Sequence, residues 1–220
     1  MSNVRRHRTP LRIAILGPQG SGKGTQAELL SRRFRIPHIS TGDIFRDHMK
    51  RRTPIGHKVK KLVDAGTLVP ETLVLRVVRE RLNKPDCKNG FIFDGFPRTI
   101  PQARFLSALF DDEYLVIVLE LSDREAIQRL SGRRLGPDGT IYHVKYRPAP
   151  KSIRKFLVIR DDEKPAAVKH RLRQYRALTV PLVQWYEKRG MLVRIDAQPS
   201  IATIAKKISR VVSRRLAAST

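Results

Sequence analysis

The chain has 220 residues, 40% of them hydrophobic, which is enough for one domain with a sizeable core and room for inserted subdomains. Lys and Arg number 45 against 20 Asp and Glu, leaving a formal charge of +25 at pH 7 and a field that attracts polyanions, whether nucleotides or RNA. The single cysteine, Cys87, excludes an internal disulfide and any cysteine-built zinc cluster, and no apolar run approaches the roughly 18 residues needed to span a bilayer, so no membrane association by spanning is expected.

Arg5, Arg6, Arg8 and Arg12 make a basic arm, but the first predicted strand starts at about Leu11, too early for a transit peptide; a cytoplasmic location is expected. That strand, residues 11–16, ends on Ile13-Ala14-Ile15-Leu16 and feeds straight into Gly17-Pro18-Gln19-Gly20-Ser21-Gly22-Lys23-Gly24-Thr25, after which a helical pattern covers 25–34. A strand, a glycine-rich turn and a helix start aim several backbone N–H groups at one spot, where the helix dipole adds to the attraction for a polyphosphate. Lys23 can reach the β- and γ-phosphates as a point charge, and Thr25 can meet phosphate or a metal-bound water. Gly24 stands where the general phosphate-loop pattern has Ser or Thr, which displaces the hydroxyl to Thr25.

A second strand is expected at 37–39. Residues 40–69 then depart from strand–helix alternation and read as two short polar helices, the first capped by Ser40 or Thr41 and the second broken at Gly66. Pro70 suits a first helical turn, and Leu73, Val74, Val77, Val78 and Leu82 extend the pattern to about residue 83. Apolar strands follow at 91–94 and 115–119. Residues 133–159 interrupt again: Tyr142-His143-Val144-Lys145-Tyr146 alternates like a strand, and Gly136-Pro137-Asp138-Gly139 supplies a turn. Pro165 opens a helix carrying Val168, Leu172 and Tyr175 on one side, and Pro181 bends or divides it. After a strand at 192–195, the last helix places Ile201, Ile204, Ala205, Ile208, Val211 and Val212 on one stripe, with Lys206, Lys207, Arg210 and Arg214 opposite. Docking on the sheet is the plain reading of that stripe, and contact with a membrane surface the alternative. The alternation specifies an α/β fold with a five-stranded parallel sheet flanked by helices, and the two irregular stretches read as flaps over a cleft.

Several of these segments together resemble the adenylate kinase family, a group of nucleoside monophosphate kinases. They are the loop from Gly17 to Thr25 with Gln26, Ser40-Thr41-Gly42-Asp43-Ile44-Phe45-Arg46, Asp94-Gly95-Phe96-Pro97-Arg98-Thr99, Gly132-Arg133-Arg134, and Arg160 with Arg171. They occur in family order over about residues 11–200. The resemblance implies a P-loop kinase core at 1–39, 70–131 and 161–220, an NMP-binding insertion at 40–69 and a lid at 132–160, in a monomeric enzyme that interconverts ATP and AMP with two ADP and keeps adenine nucleotides in balance. It also implies residue roles. Gly20, Ser21, Gly22, Lys23, Gly24 and Thr25 would hold the ATP phosphates, and Arg129, Arg133, Ile141 and Tyr142 would meet ATP from the lid. Thr41, Arg46, Thr67, Val69, Gly95, Arg98 and Gln102 would line the AMP site, with Arg160 and Arg171 closing on it. Lys23, Arg98, Arg133, Arg160 and Arg171 would be the catalytic cations, and Asp94 would anchor Mg²⁺ through water.

The chemistry agrees with that assignment. Moving a phosphoryl group between two nucleotides needs no protein nucleophile; it needs positioning and cations. At an effective dielectric near 20, a charge pair about 4 Å apart contributes on the order of 4 kcal/mol, so converging arginines can offset the repulsion between two polyanions. Some relatives hold zinc with four lid cysteines, all missing here, so no zinc is expected; His143 is read as a hydrogen-bonding residue of the lid. The acidic run Asp161-Asp162-Glu163 beside Arg160 places Asp162 and Glu163 to orient the arginines. Kinases for UMP or CMP tend toward a shorter lid than this one, which with Thr99 favours AMP. A scaffold that binds RNA is the rival suggested by charge alone, with general polyanion binding as its weaker form.

Overall fold

The computed structural model describes residues 10–218; Arg5, Arg6 and Arg8 of the basic arm lie outside the described residues. Strand β1 (Leu11–Leu16) is followed by α1 (Lys23–Phe34), β2 (His38–Ser40), α2 (Thr41–Lys50), α3 (Pro54–Asp64) and α4 (Glu71–Leu82). The chain continues through β3 (Gly90–Asp94), α5 (Ile100–Phe110), β4 (Leu115–Glu120), α6 (Asp123–Ser131) and a small hairpin, β5 (Arg133–Leu135) and β6 (Ile141–His143). It closes with α7 (Pro165–Gln174), α8 (Val180–Lys188), β7 (Leu192–Asp196) and α9 (Ile201–Ala218).

The five longer-range strands pair in the order β2-β3-β1-β4-β7, all parallel. Alternate residues of β1 face opposite layers. Ile13 and Ile15 join Ala27, Leu30, Ile204, Ile208 and Val212 under α1 and α9, while Ala14 and Leu16 join Phe93, Phe96, Val77 and Leu182 on the other side. Burial on both faces explains why the strands read as continuous apolar runs rather than alternating ones. Because β3 lies on one side of β1 and β4 on the other, the crossovers from the middle of the sheet diverge and leave a crevice beyond the strand ends, the usual place for a ligand in such sheets.

Besides one-residue shifts at strand ends, four features differ from the sequence reading. Helix α1 starts at Lys23, two residues before the expected position, because the loop turns directly into it. Pro70 is the cap residue of α4 rather than part of its first turn. The alternating run at 142–146 is strand only as far as His143; residues 144–146 turn back, since His143 Nδ1 accepts the Lys145 and Tyr146 N–H groups and holds that turn closed. The division anticipated at Pro181 is a π-helical turn, Tyr175–Thr179, just before it; Pro181 has no N–H to continue the regular ladder. Ser40 does cap α2, accepting the Asp43 N–H at 3.2 Å.

Candidate functional site

The loop after β1 is shaped by glycines. Gly17 and Gly20 have φ of 142° and 85°, and a Cβ would fall 2.5 Å from the Leu119 carbonyl at the first and 2.8 Å from the Ala126 carbonyl at the second. No other residue type fits either place. Gly22 stands at the cap of α1 with no side-chain cap, so the first amides of that helix keep their hydrogens for a ligand. Lys23 curls back and donates to the carbonyls of Gly17 and Pro18, 2.8 Å each. Burial pushes its pKa down to about 8, against the pull of Asp94, with Arg98, Arg171 and Arg133 adding repulsion.

Asp94 ends β3. Burial raises its pKa, yet His38, Lys23 and Arg98 outweigh that and hold the carboxyl below its ordinary range. His38 Nε2 lies 3.5 Å from Asp94 Oδ2. The same Oδ2 sits 3.1 Å from where a Cβ on Gly24 would be, so the glycine leaves the carboxylate its space. Asp94 and Thr25 line one cleft, and a single ionised carboxylate beside a hydroxyl suits Mg²⁺, which keeps most of its waters and takes few protein ligands. The residues present therefore fit Mg²⁺. No group of three or more His, Cys, Asp or Glu is placed to hold a metal among the described residues.

On the opposite side, Arg98 follows the cis Phe96–Pro97 peptide and donates from Nε to the Gly95 carbonyl at 2.7 Å. Its backbone N–H reaches Gln102 Oε1 at 2.8 Å, and its carbonyl accepts Thr179 Oγ1–H at 3.1 Å. Thr41 Oγ1–H donates to the same Gly95 carbonyl at 3.1 Å. Thr41, Arg46, Thr67, Val69, Gly95, Arg98 and Gln102 surround one recess together with Asp162 and Arg171. Gly66, with φ of 72°, lets α3 end against Arg171: a Cβ there would be 2.6 Å from Arg171 Cγ.

The arginines converge on two buried carboxylates. Asp162 takes Arg160 through two bonds, 2.9 and 2.6 Å, and Arg171 at 2.6 Å, with Arg46 3.8 Å away. Glu163 takes Arg133 at 2.7 Å, with Arg160 at 3.7 Å. Burial opposes the charge on Asp162, but the bonds and fields of Arg160, Arg171 and Arg46 win and bring its pKa down to about 2. Burial and neighbouring Arg98 take Arg171 down to about 10, which leaves it cationic at neutral pH.

A cleft of about 530 Å³ joins these parts. Gly20, Gly22, Lys23, Gly24, Thr25, Arg46, Asp94, Gly95, Arg98, Arg133, Ile141, Arg160 and Arg171 all border it. The side chains of three expected ATP residues do not border the cleft. Ser21 is buried beneath the loop, Arg129 hydrogen-bonds the Gln198 carbonyl at 3.3 Å, and the Tyr142 ring packs against Gly136. His143 hydrogen-bonds within its own turn, to the Lys145 and Tyr146 N–H groups. The cleft also draws in residues that the sequence reading gave no site role: His38, Gln174, Tyr175, Thr179 and Arg147, which follows the β5–β6 hairpin and lies 4.0 Å from Glu28 on α1. His38 could have been found by counting, because Ser40 pairs with Asp94 and the residue two before it shares that face. Thr179 carried no such signal, because the π turn breaks the helical period that would place it.

An uncapped helix start and an arginine-lined anion recess, opening into one cleft beyond a parallel sheet, define a P-loop phosphotransferase acting between two phosphorylated ligands. The family model for adenylate kinase matches residues 15–191. The chain is 43% identical over 212 residues to an adenylate kinase of Caldicellulosiruptor bescii, covering 92% of this chain and 99% of that protein. It is 41% identical over 218 residues to one from Methanocella arvoryzae, covering 94% and 100%. The chain belongs to the adenylate kinase family, enzymes that convert ATP and AMP reversibly into two ADP. Among the described residues, no helix is long and apolar enough to cross a membrane.

Proposed function

We propose that the phosphate loop holds ATP and the arginine recess holds AMP, so that the terminal phosphoryl group crosses the short gap between them. The observation that carries this reading is that Lys23 and five arginines, Arg46, Arg98, Arg133, Arg160 and Arg171, border one cleft. An AMP phosphate oxygen forms the new bond to the ATP γ-phosphorus as the bond to the β–γ bridging oxygen breaks, and ADP leaves on each side. Lys23 exchanges the Gly17 and Pro18 carbonyls for phosphate oxygens, and the amides of Gly20 to Thr25 complete the grip on ATP. Arg46 and Arg98 hold the AMP phosphate, its adenine rests near Gln102 and the backbone of Thr67 and Val69, and Thr41 and Gly95 line the same recess. Arg133, Arg160 and Arg171 turn from Asp162 and Glu163 toward the transferring group. Mg²⁺, held through water by Asp94 and Thr25, would supply further neutralisation of the ATP phosphates. Ile141 borders the cleft already, and Arg129 and Tyr142 complete the ATP side once the lid comes down.

In this reading residues 40–69 are the acceptor flap, 132–160 the lid, and 1–39, 70–131 and 161–220 the core. Closing both excludes water and so protects ATP from hydrolysis. The enzyme works as a monomer in the cytoplasm. Its lone cysteine suits a reducing compartment, and its +25 charge opposes self-association while drawing in polyanions generally. The direct test is a phosphoryl-transfer assay with ATP and AMP, CMP, UMP or GMP. AMP is expected to exceed the others by roughly tenfold or more in kcat/KM; a pyrimidine monophosphate that reacts faster overturns the acceptor assignment.

A further inference from the structure

Helix α9 has a solvent face with no role in the cleft. It is the last element of the sheet layer, and Ile204, Ile208 and Val212 fix it to the core at 3%, 0% and 0% exposure. Lys206, Lys207, Arg210 and Arg214 are exposed on the opposite side, and the helix contains no Asp or Glu. None of the four has a carboxylate within ion-pair distance among the described residues, although Arg32, Arg51, Arg76 and Arg129 on other helices all pair with an acid one turn away. Lys206, Arg210 and Arg214 are spaced four residues apart, which sets them about 6 Å apart along the axis and within about 80° of one another around it. Helix α1 packs beside α9, tied to it by Gln26 Nε2–H donating to the Ile201 carbonyl at 3.0 Å, and it too ends with exposed cations, Arg33 and Arg35.

We infer that this face binds the phosphate backbone of a nucleic-acid duplex without reading its sequence. A row of unpaired cations set by a rigid helix at near-phosphate spacing is complementary to a regular polyanion and releases its counterions on contact. A lipid surface is a poorer partner, because the apolar stripe that would enter it is already buried against the sheet. Unpaired strands are poorer too, since α9 offers no aromatic side chain for bases to stack upon. Thr203 and Ser213, on the same face, add hydroxyl donors for phosphate oxygens.

The test compares the full chain with a variant carrying Lys206→Gln, Lys207→Gln, Arg210→Gln and Arg214→Gln. Glutamine keeps helix propensity, and unchanged phosphoryl transfer certifies the fold. Binding to a short labelled DNA duplex, to one unpaired strand of it and to anionic phospholipid vesicles is followed as salt is raised. The expected result is duplex binding that the variant weakens by roughly tenfold or more, with the slope of log affinity against log salt reduced by about 3 to 4. A control variant, Lys84→Gln, Lys88→Gln, Arg104→Gln and Lys188→Gln, removes as much exposed charge elsewhere and is expected to lose much less. Equal loss in the control, unaltered duplex binding in the α9 variant, or tighter binding to vesicles or unpaired strand overturns the inference.

Discussion

The two halves of the cleft hold their cations in different ways. Around the phosphate loop a single lysine is parked on neutral carbonyls, and the geometry comes from glycines whose neighbours would collide with any side chain. In the arginine-lined part the geometry comes from charge: Asp162 and Glu163 gather Arg46 from α2, Arg133 from β5, Arg160 from the segment before α7 and Arg171 from α7. A backbone cradle needs no countercharge, because amides and a helix end carry only partial charges. Clustered guanidinium groups do need one, since without phosphate they repel one another at close range. Asp162 and Glu163 supply that countercharge.

Asp162→Asn tests the charged half most severely. Removing the buried anion leaves Arg160, Arg171 and Arg46 facing each other, and urea denaturation is expected to show about 3 kcal/mol less stability. An unchanged midpoint would mean that the arginines do not need the acid, and the contrast would fail. Lys23→Ala tests the other half. It removes the one cation of the loop without disturbing the glycine turn, so turnover is expected to fall on the order of a hundredfold while the unfolding midpoint is not lowered as it is in Asp162→Asn, because the buried charge itself costs stability. Near-normal turnover would dismiss Lys23 from its role.

The response to pH sharpens the distinction further. Asp162, brought down to about 2, contributes stability that is complete above its ordinary pKa of 3.8 and is lost as the pH drops from there toward 2. Lys23, brought down to about 8, behaves differently: its buried charge costs stability at neutral pH, and that cost is relieved as the pH climbs from about 8 to its ordinary 10.5. Alkali should thus firm the fold around the loop while removing the charge that captures ATP. The expected outcome is a kcat/KM for ATP that falls above about pH 8, with kcat less affected because bound phosphates restore the proton. A flat kcat/KM through pH 9 would show that Lys23 keeps its charge.

Much of this site was legible residue by residue. The strand, the glycines and Lys23 are contiguous, so their geometry is local and their spacing reports it directly. Arg46, Arg98 and Gln102 follow the ends of strands that a parallel sheet brings to one edge, and Ser40 and Thr99 announce helix starts by capping them. Thr179 is different. It reaches the carbonyl of Arg98 from 81 positions away, across a π turn that has no propensity signature. Arg129 and Tyr142 teach the complementary lesson: position in a motif did not foretell that one would turn to the Gln198 carbonyl and the other fold onto Gly136.

Order along the chain settled the sheet, its helices and the phosphate loop, because apolar runs, caps and glycine turns act over a few residues. Which acid would answer which arginine, and that Asp162 would serve three of them at once, emerged only in three dimensions. Coulomb attraction depends on the distance between charges and on the water excluded from between them, and neither is written in the spacing of residues along a chain.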